Sequence, residues 1–207
     1  MKNNEDRGIP ALSEAEEILE KAIKLNPGPW REHSIHTAEA AKFIAENAGM
    51  DGEKAYILGL LHDIGRIAGV TGMRHILDGY NFCIESGFSE CGKICLTHSF
   101  PTKDLREAFG KWDCDDKEYS FVENFIKTVD YDDYDRLIQL CDALALCEGF
   151  VLMEKRMIDV ALRHGVHEYT VSKWKKTVEI KEYFEKLMGK SIYSVLPGVV
   201  ENTFDLK

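Results

Sequence analysis

An apolar run, Tyr56-Ile57-Leu58-Gly59-Leu60-Leu61, ends abruptly in the ionisable pair His62-Asp63. A run of that kind belongs in a core, and it draws the pair in with it. An imidazole and a carboxylate are costly to bury unless other groups or a cation compensate them. Whatever the chain folds into must therefore gather partners at this point. The candidates are His33 upstream, His75 and His98 downstream, and Asp142 within a second apolar run from Leu137 to Leu146. Imidazole and carboxylate are also ligands that divalent metals accept.

Helical period and helical punctuation recur along nearly the whole sequence. Ser13 followed by Glu16 predicts a capping box opening a helix to about Leu25, closed by Asn26-Pro27-Gly28-Pro29. A second helix is expected from about Trp30 to Ala48, with Gly49 at its end, and Asp51 caps a third that ends near Ile64-Gly65. Thr71-Gly72 opens a helix to Ser86-Gly87, and Ser89 opens another that reaches His98 before Pro101. The segment from Phe100 to Asp116 reads as a loop with at most one short helix. Helices at about 118–129, 133–148, 153–163 and 171–188 follow, and the apolar tail Ser191–Gly198 packs back on the body. Little alternation of apolar and polar residues suggests a sheet. The expectation is an all-α, single-domain helical bundle over residues 1–207. Its core motif region is 30–146, with C-terminal helices from 153 to 188 packed on it.

Composition narrows the function classes. The chain has 207 residues, 44% of them hydrophobic and 30% charged, the balance of a globular protein with one sizeable core. A net charge of −10 without a basic tract argues against charge-driven binding to a nucleic-acid polymer or an anionic membrane. Met1–Arg7 is polar, unlike a secretory leader, and no stretch has the length of a membrane span. Six cysteines without a C-x-x-C pair read as reduced core thiols, and a cytoplasmic location is expected.

Helical spacing orients the candidates. His33 shares a face with Thr37, Ala41 and Ile44 and points inward, whereas His36 aligns with Ala40, Phe43 and Asn47 and reads as a supporting or surface residue. Asp142 aligns with Ile138, Ala145 and Leu146, a face on which a carboxylate needs a cation or hydrogen-bond donors. Arg66 suits a phosphate, or else the last carbonyls of its own helix. Arg74 and Lys103 are weaker candidates. Cys91 and Cys95 read as core residues, and Lys173-Trp174-Lys175-Lys176 as a solvated face with one buried tryptophan. His164 and His167 flank Gly165 and read as caps or solvent-facing groups.

The order His33, His62-Asp63, Asp142 resembles the HD superfamily of metal-dependent phosphohydrolases. Glu32-His33-Ser34-Ile35-His36-Thr37-Ala38 is similar to the family's first-histidine helix. Leu60-Leu61-His62-Asp63-Ile64-Gly65-Arg66 matches its signature, with arginine where many members carry lysine. Leu140-Cys141-Asp142-Ala143-Leu144 resembles its last-aspartate helix. The resemblance implies that His33, His62, Asp63 and Asp142 hold a first divalent ion (iron, manganese, nickel, cobalt, zinc or magnesium). His75 and His98, with Asp63 as a bridge, would hold a second, although His98-Ser99 stands where some two-metal members have a double histidine. The implied activity is hydrolysis of a small phosphate ester, such as a nucleotide, by a metal-activated hydroxide, with Asp63 and Arg66 as catalytic residues. A two-iron oxygenase and a non-enzymatic nucleotide sensor are the alternatives. The sequence sets no oligomeric state, and a homodimer is compatible with it.

Overall fold

Small residues decide how the central helices meet. In the computed structural model, which describes residues 6–206, helix α2 (Trp30–Asn47) lies against α3 (Gly52–Leu61), with Ala38 facing Gly59 and Ala41 and Ala45 buried on α2. A Cβ at Gly59 would sit 2.7 Å from the Ala38 Cα, so only glycine permits this approach. The contact sets His33, near the start of α2, opposite His62, which caps the end of α3. Asp51 caps the start of α3 through the Lys54 amide, as expected.

Around this pair are α1 (Leu12–Leu25), α4 (Arg74–Ser86), α5 (Ser89–Thr97), α6 (Asp116–Thr128) and α7 (Asp133–Asp142). The chain continues through α8 (Met153–His164), α9 (Thr170–Met188) and α10 (Val199–Phe204). A five-residue 3-10 turn at Ile64–Ala68 follows α3, and shorter ones fall at Leu105–Glu107 and Ile192–Ser194. The fold is all-α; two two-residue strands are its only sheet among the described residues. One apolar cluster gathers α1, α2, α3 and α7 around Ile44, Leu58, Leu61 and Ile138, with Phe184 of α9 against it. A second joins α4, α5 and α6 around Ile76, Leu96, Phe100 and Ile126. Each fully buried leucine or isoleucine in them contributes about 1.5–3 kcal/mol. No helix of the described residues is long and apolar enough to cross a membrane.

Several expected boundaries move, for physical reasons. The Ser13–Glu16 capping box does not form: extended backbone at Ala11 starts α1 at Leu12 and leaves Ser13 inside the first turn. Helix α4 starts at Arg74 rather than Thr71-Gly72, because Asp113 accepts from the Gly72 and Arg74 amides at 2.6 and 2.7 Å. Helix α7 stops at Asp142 instead of reaching Glu148. Ala145–Leu146 then pairs with Gly149–Phe150 in a hairpin whose Gly149 has φ +135°. No disulfide joins the six cysteines.

Candidate metal centre

The 3-10 turn after α3 builds one side of the site. It has three residues per turn, so positions i and i+3 eclipse. That brings the Arg66 Nε to 2.6 Å from Asp63 Oδ2. Asn26, just past α1, donates to the Arg66 carbonyl at 2.6 Å and latches the turn. On its other face the turn lies against α4. A Cβ at Gly65 would fall 1.9 Å from the His75 carbonyl and 2.4 Å from the Gly79 nitrogen, so the contact requires glycine. This packing puts His75 Nε2 3.2 Å from Asp63 Oδ1, with His98 Nε2 at 3.8 Å from the same oxygen. His62 Nε2 lies 3.9 Å from Asp63 Oδ2.

The other side comes from α2 and α7. His33 Nε2 is 3.0 Å from Asp142 Oδ1, and the His33 and His62 rings meet edge to face with centroids 5.3 Å apart. The hairpin that ends α7 supplies carbonyls to α2: Ala145 to His33 at 3.2 Å and Leu146 to His36 at 2.8 Å. His36 is thus a support for the hairpin rather than a member of the cluster.

Hydrogen bonding constrains the tautomers. Nδ1 of His33, His62, His75 and His98 each lies by a backbone carbonyl: Ala145, Gly59 (2.7 Å), Gly72 (2.6 Å) and Cys95 (3.0 Å). A carbonyl only accepts, so in His62, His75 and His98 Nδ1 carries the proton and Nε2 presents a lone pair. His33 lies between two acceptors, the Ala145 carbonyl and Asp142 Oδ1, and its single N–H serves one of them. Burial lowers the basicity of His33, His75 and His98, the last to about 3, so these rings stay neutral at neutral pH. Burial pushes the Asp63 carboxyl up, but Arg66 and the surrounding imidazoles bring it well below the usual carboxylate range. Asp142 likewise falls well below it, burial being outweighed by His33 and Arg156.

The result is a ring of acceptors with almost no donors. Two carboxylates and four imidazoles converge, and Asp63 Oδ1 is buried without a hydrogen-bond partner. His33 with His62 and Asp63 could hold one cation, and Asp63 with His75 and His98 another, the carboxylate being common to both groups. Asp142 is in neither group, but it adjoins the first through its contact with His33. A divalent cation fits this donor set, because it neutralises the carboxylates and accepts the lone pairs together.

The cluster opens onto a cavity of about 950 Å³. Arg66, Lys155, Arg156, Arg163 and Lys173 line it, and so do Asp63, Asp142, Glu148, Asp159 and Asp205; Lys155 and Arg163 are paired with Asp205 and Asp159. Arg74 and Lys103 are elsewhere: Arg74 pairs with Asp78 and Glu118, and Lys103 lies over Tyr131 with its ammonium on the Val129 carbonyl. Sequence reasoning missed Arg156 and misplaced Lys173. The signal for Lys173 was present, since it shares a helical stripe with the buried Thr170, Thr177, Ile180 and Phe184. For Arg156 there was none beyond its charge.

A fold and donor set of this kind are those of a helical protein able to hold a metal ion. Residues 30–146 match the family model of the HD domain, and the chain belongs to the HD superfamily of metal-dependent phosphohydrolases. Among curated proteins and solved structures none matches it.

Proposed function

We propose that the protein is a metal-dependent hydrolase of a small phosphate ester, with nucleotides as the leading class. The observation that carries this reading is the buried, donor-poor ring of acceptors on the floor of a cavity that Arg66, Arg156 and Lys173 also line. His33, His62, Asp63 and Asp142 would hold one ion, and Asp63, His75 and His98 a second. When bound, such ions acidify water and neutralise charge on a phosphoryl group. The chain's own residues do the rest. Arg66 is held by Asp63 through Nε alone, and its two Nη groups have no partner among the described residues. They are placed for two parallel hydrogen bonds to a phosphate. The imidazoles, locked by their carbonyls, cannot rotate away from the ring of ligands. Asp63, kept ionised by Arg66, orients the attacking water or receives its proton.

The test combines metal analysis of the purified protein with phosphate release over a panel of nucleotides and sugar phosphates. Turnover that needs the metal, and disappears with it in Asp63→Ala, is the expected result. Full activity in that variant overturns the reading. Phosphate release under nitrogen separates hydrolysis from a two-iron oxygenase on the same scaffold.

A further inference from the structure

Two cations on the wall of the cavity have no carboxylate to themselves. Lys173 of α9 donates to the Ser99 carbonyl at 2.8 Å and lies 5.1 Å above the Phe109 ring centroid. It forms no ion pair among the described residues, and two of its three N–H donors have no partner there. Glu107 and Asp142 are the acids that act on it, but both Glu107 oxygens already accept from Thr102, at 3.0 and 2.9 Å, and Asp142 is shared with His33 and Arg156. Arg156 of α8 spends Nη1 on Asp159 at 3.1 Å and holds Nη2 3.6 Å from Asp142 Oδ1. Burial opposes the Lys173 ammonium, and Arg156 is near enough to oppose it further. A chain that needed only packing here would have placed an apolar stem. Two like charges kept together beside a cavity are relieved by an anion between them.

Their position says which anion. Ser99 directly follows His98, and Asp142 joins His33 to Arg156, so both cations adjoin the ring of metal-ligand candidates rather than the far end of the cavity. Arg66 stands on the Asp63 side of that ring. Both helices also lie outside the matched residues 30–146. We infer that Lys173 and Arg156 form a second anion subsite, which receives a phosphate directly bonded to the scissile one and makes the preferred substrate an organic diphosphate or longer phosphoanhydride. The inference rests on the hydrolase reading above. In the step it implies, water adds to the terminal phosphorus and the bond to the bridging oxygen breaks. The electron pair remains on the leaving phosphate, beside Lys173 and Arg156, and one proton passes to solvent.

The experiment compares ADP and AMP, which differ by one phosphate. Calorimetry on the metal-free protein should give ADP about tenfold tighter than AMP, the size of effect that a charge-assisted hydrogen bond supplies. Lys173→Met should collapse that ratio towards one, and Lys173→Arg should restore most of it. ADP binding no tighter than AMP in the unmodified protein overturns the subsite without any variant. So does a Lys173→Met protein that melts normally and keeps the ratio. Phosphate release from the metal-loaded protein distinguishes the two readings. A normal ratio with no release under any metal leaves the subsite and removes the hydrolase. Release from AMP with no preference for ADP does the reverse.

Discussion

The two carboxylates of the site live under different conditions. The Asp63 side chain is 4% exposed, ringed by His62, His75 and His98 and held by Arg66 from its own 3-10 turn. The Asp142 side chain is 29% exposed, at the C-terminal end of α7, and meets His33 from one helix and Arg156 from another. Asp63 is therefore placed by local backbone geometry beside His62 and Arg66, with His75 and His98 brought to it from α4 and the end of α5. Asp142 is placed by the docking of α2, α7 and α8. The first arrangement depends on one turn and its immediate packing; the second depends on how three helices dock.

That contrast can be broken most directly at Asp63. Asp63→Ala should lower turnover by more than about 10³-fold and abolish bound metal, since both proposed ion sites share this residue; metal analysis and a phosphate-release assay check it. Gly65→Ala attacks the same side through packing. A methyl group 1.9 Å from the His75 carbonyl forces the turn off α4, and urea unfolding should register a loss of about 3 kcal/mol. Asp142→Asn should be milder, because the amide oxygen still accepts and the site is open. A roughly 10- to 100-fold loss of metal affinity is expected from calorimetric titration. If Asp142→Asn proves as damaging as Asp63→Ala, the contrast fails.

Acid should act on both sides with one sign. Unfolded imidazoles take up a proton near pH 6.5, while the buried His33, His75 and His98 resist it, His98 down to about 3. The unfolded state then binds more protons, so the stability of the metal-free protein falls as the pH drops below 6.5. Asp63 and Asp142, depressed below their usual 3.8, add stability that is present above that value and lost as the pH falls through their folded values. Thermal melts between pH 7 and 3 should show a monotonic decline; a rise on acidification would contradict the neutral-imidazole assignment. The smallest effect belongs to His36→Ala, which removes the bond to the Leu146 carbonyl and an edge contact with the Phe150 ring, both away from the ligand cluster. It should cost about 1 kcal/mol in a denaturant titration and leave metal affinity within about twofold.

What could be read from the sequence follows the same division. His62, Asp63 and Arg66 were legible because adjacency and a single turn bring them together, and His33 because its helical face is apolar. The limit of α7 was not, since the carbonyls it releases serve His33 and His36, more than 100 residues away in sequence. The start of α4 was misread because its cap, Asp113, lies some 40 positions downstream of the amides it accepts. Arg156 and Lys173 escaped for a related reason. A basic residue on an amphipathic helix reads as solvated until the docking of that helix shows which way it faces.

The Asp113 bridge has one further consequence. Gly72, whose amide it anchors, also offers the carbonyl that steers the His75 ring. A strand break near residue 110, by a protease for instance, would therefore loosen one imidazole selectively while the other three kept their anchorage. Of the two ion sites proposed above, the one that uses His75 would then fail first.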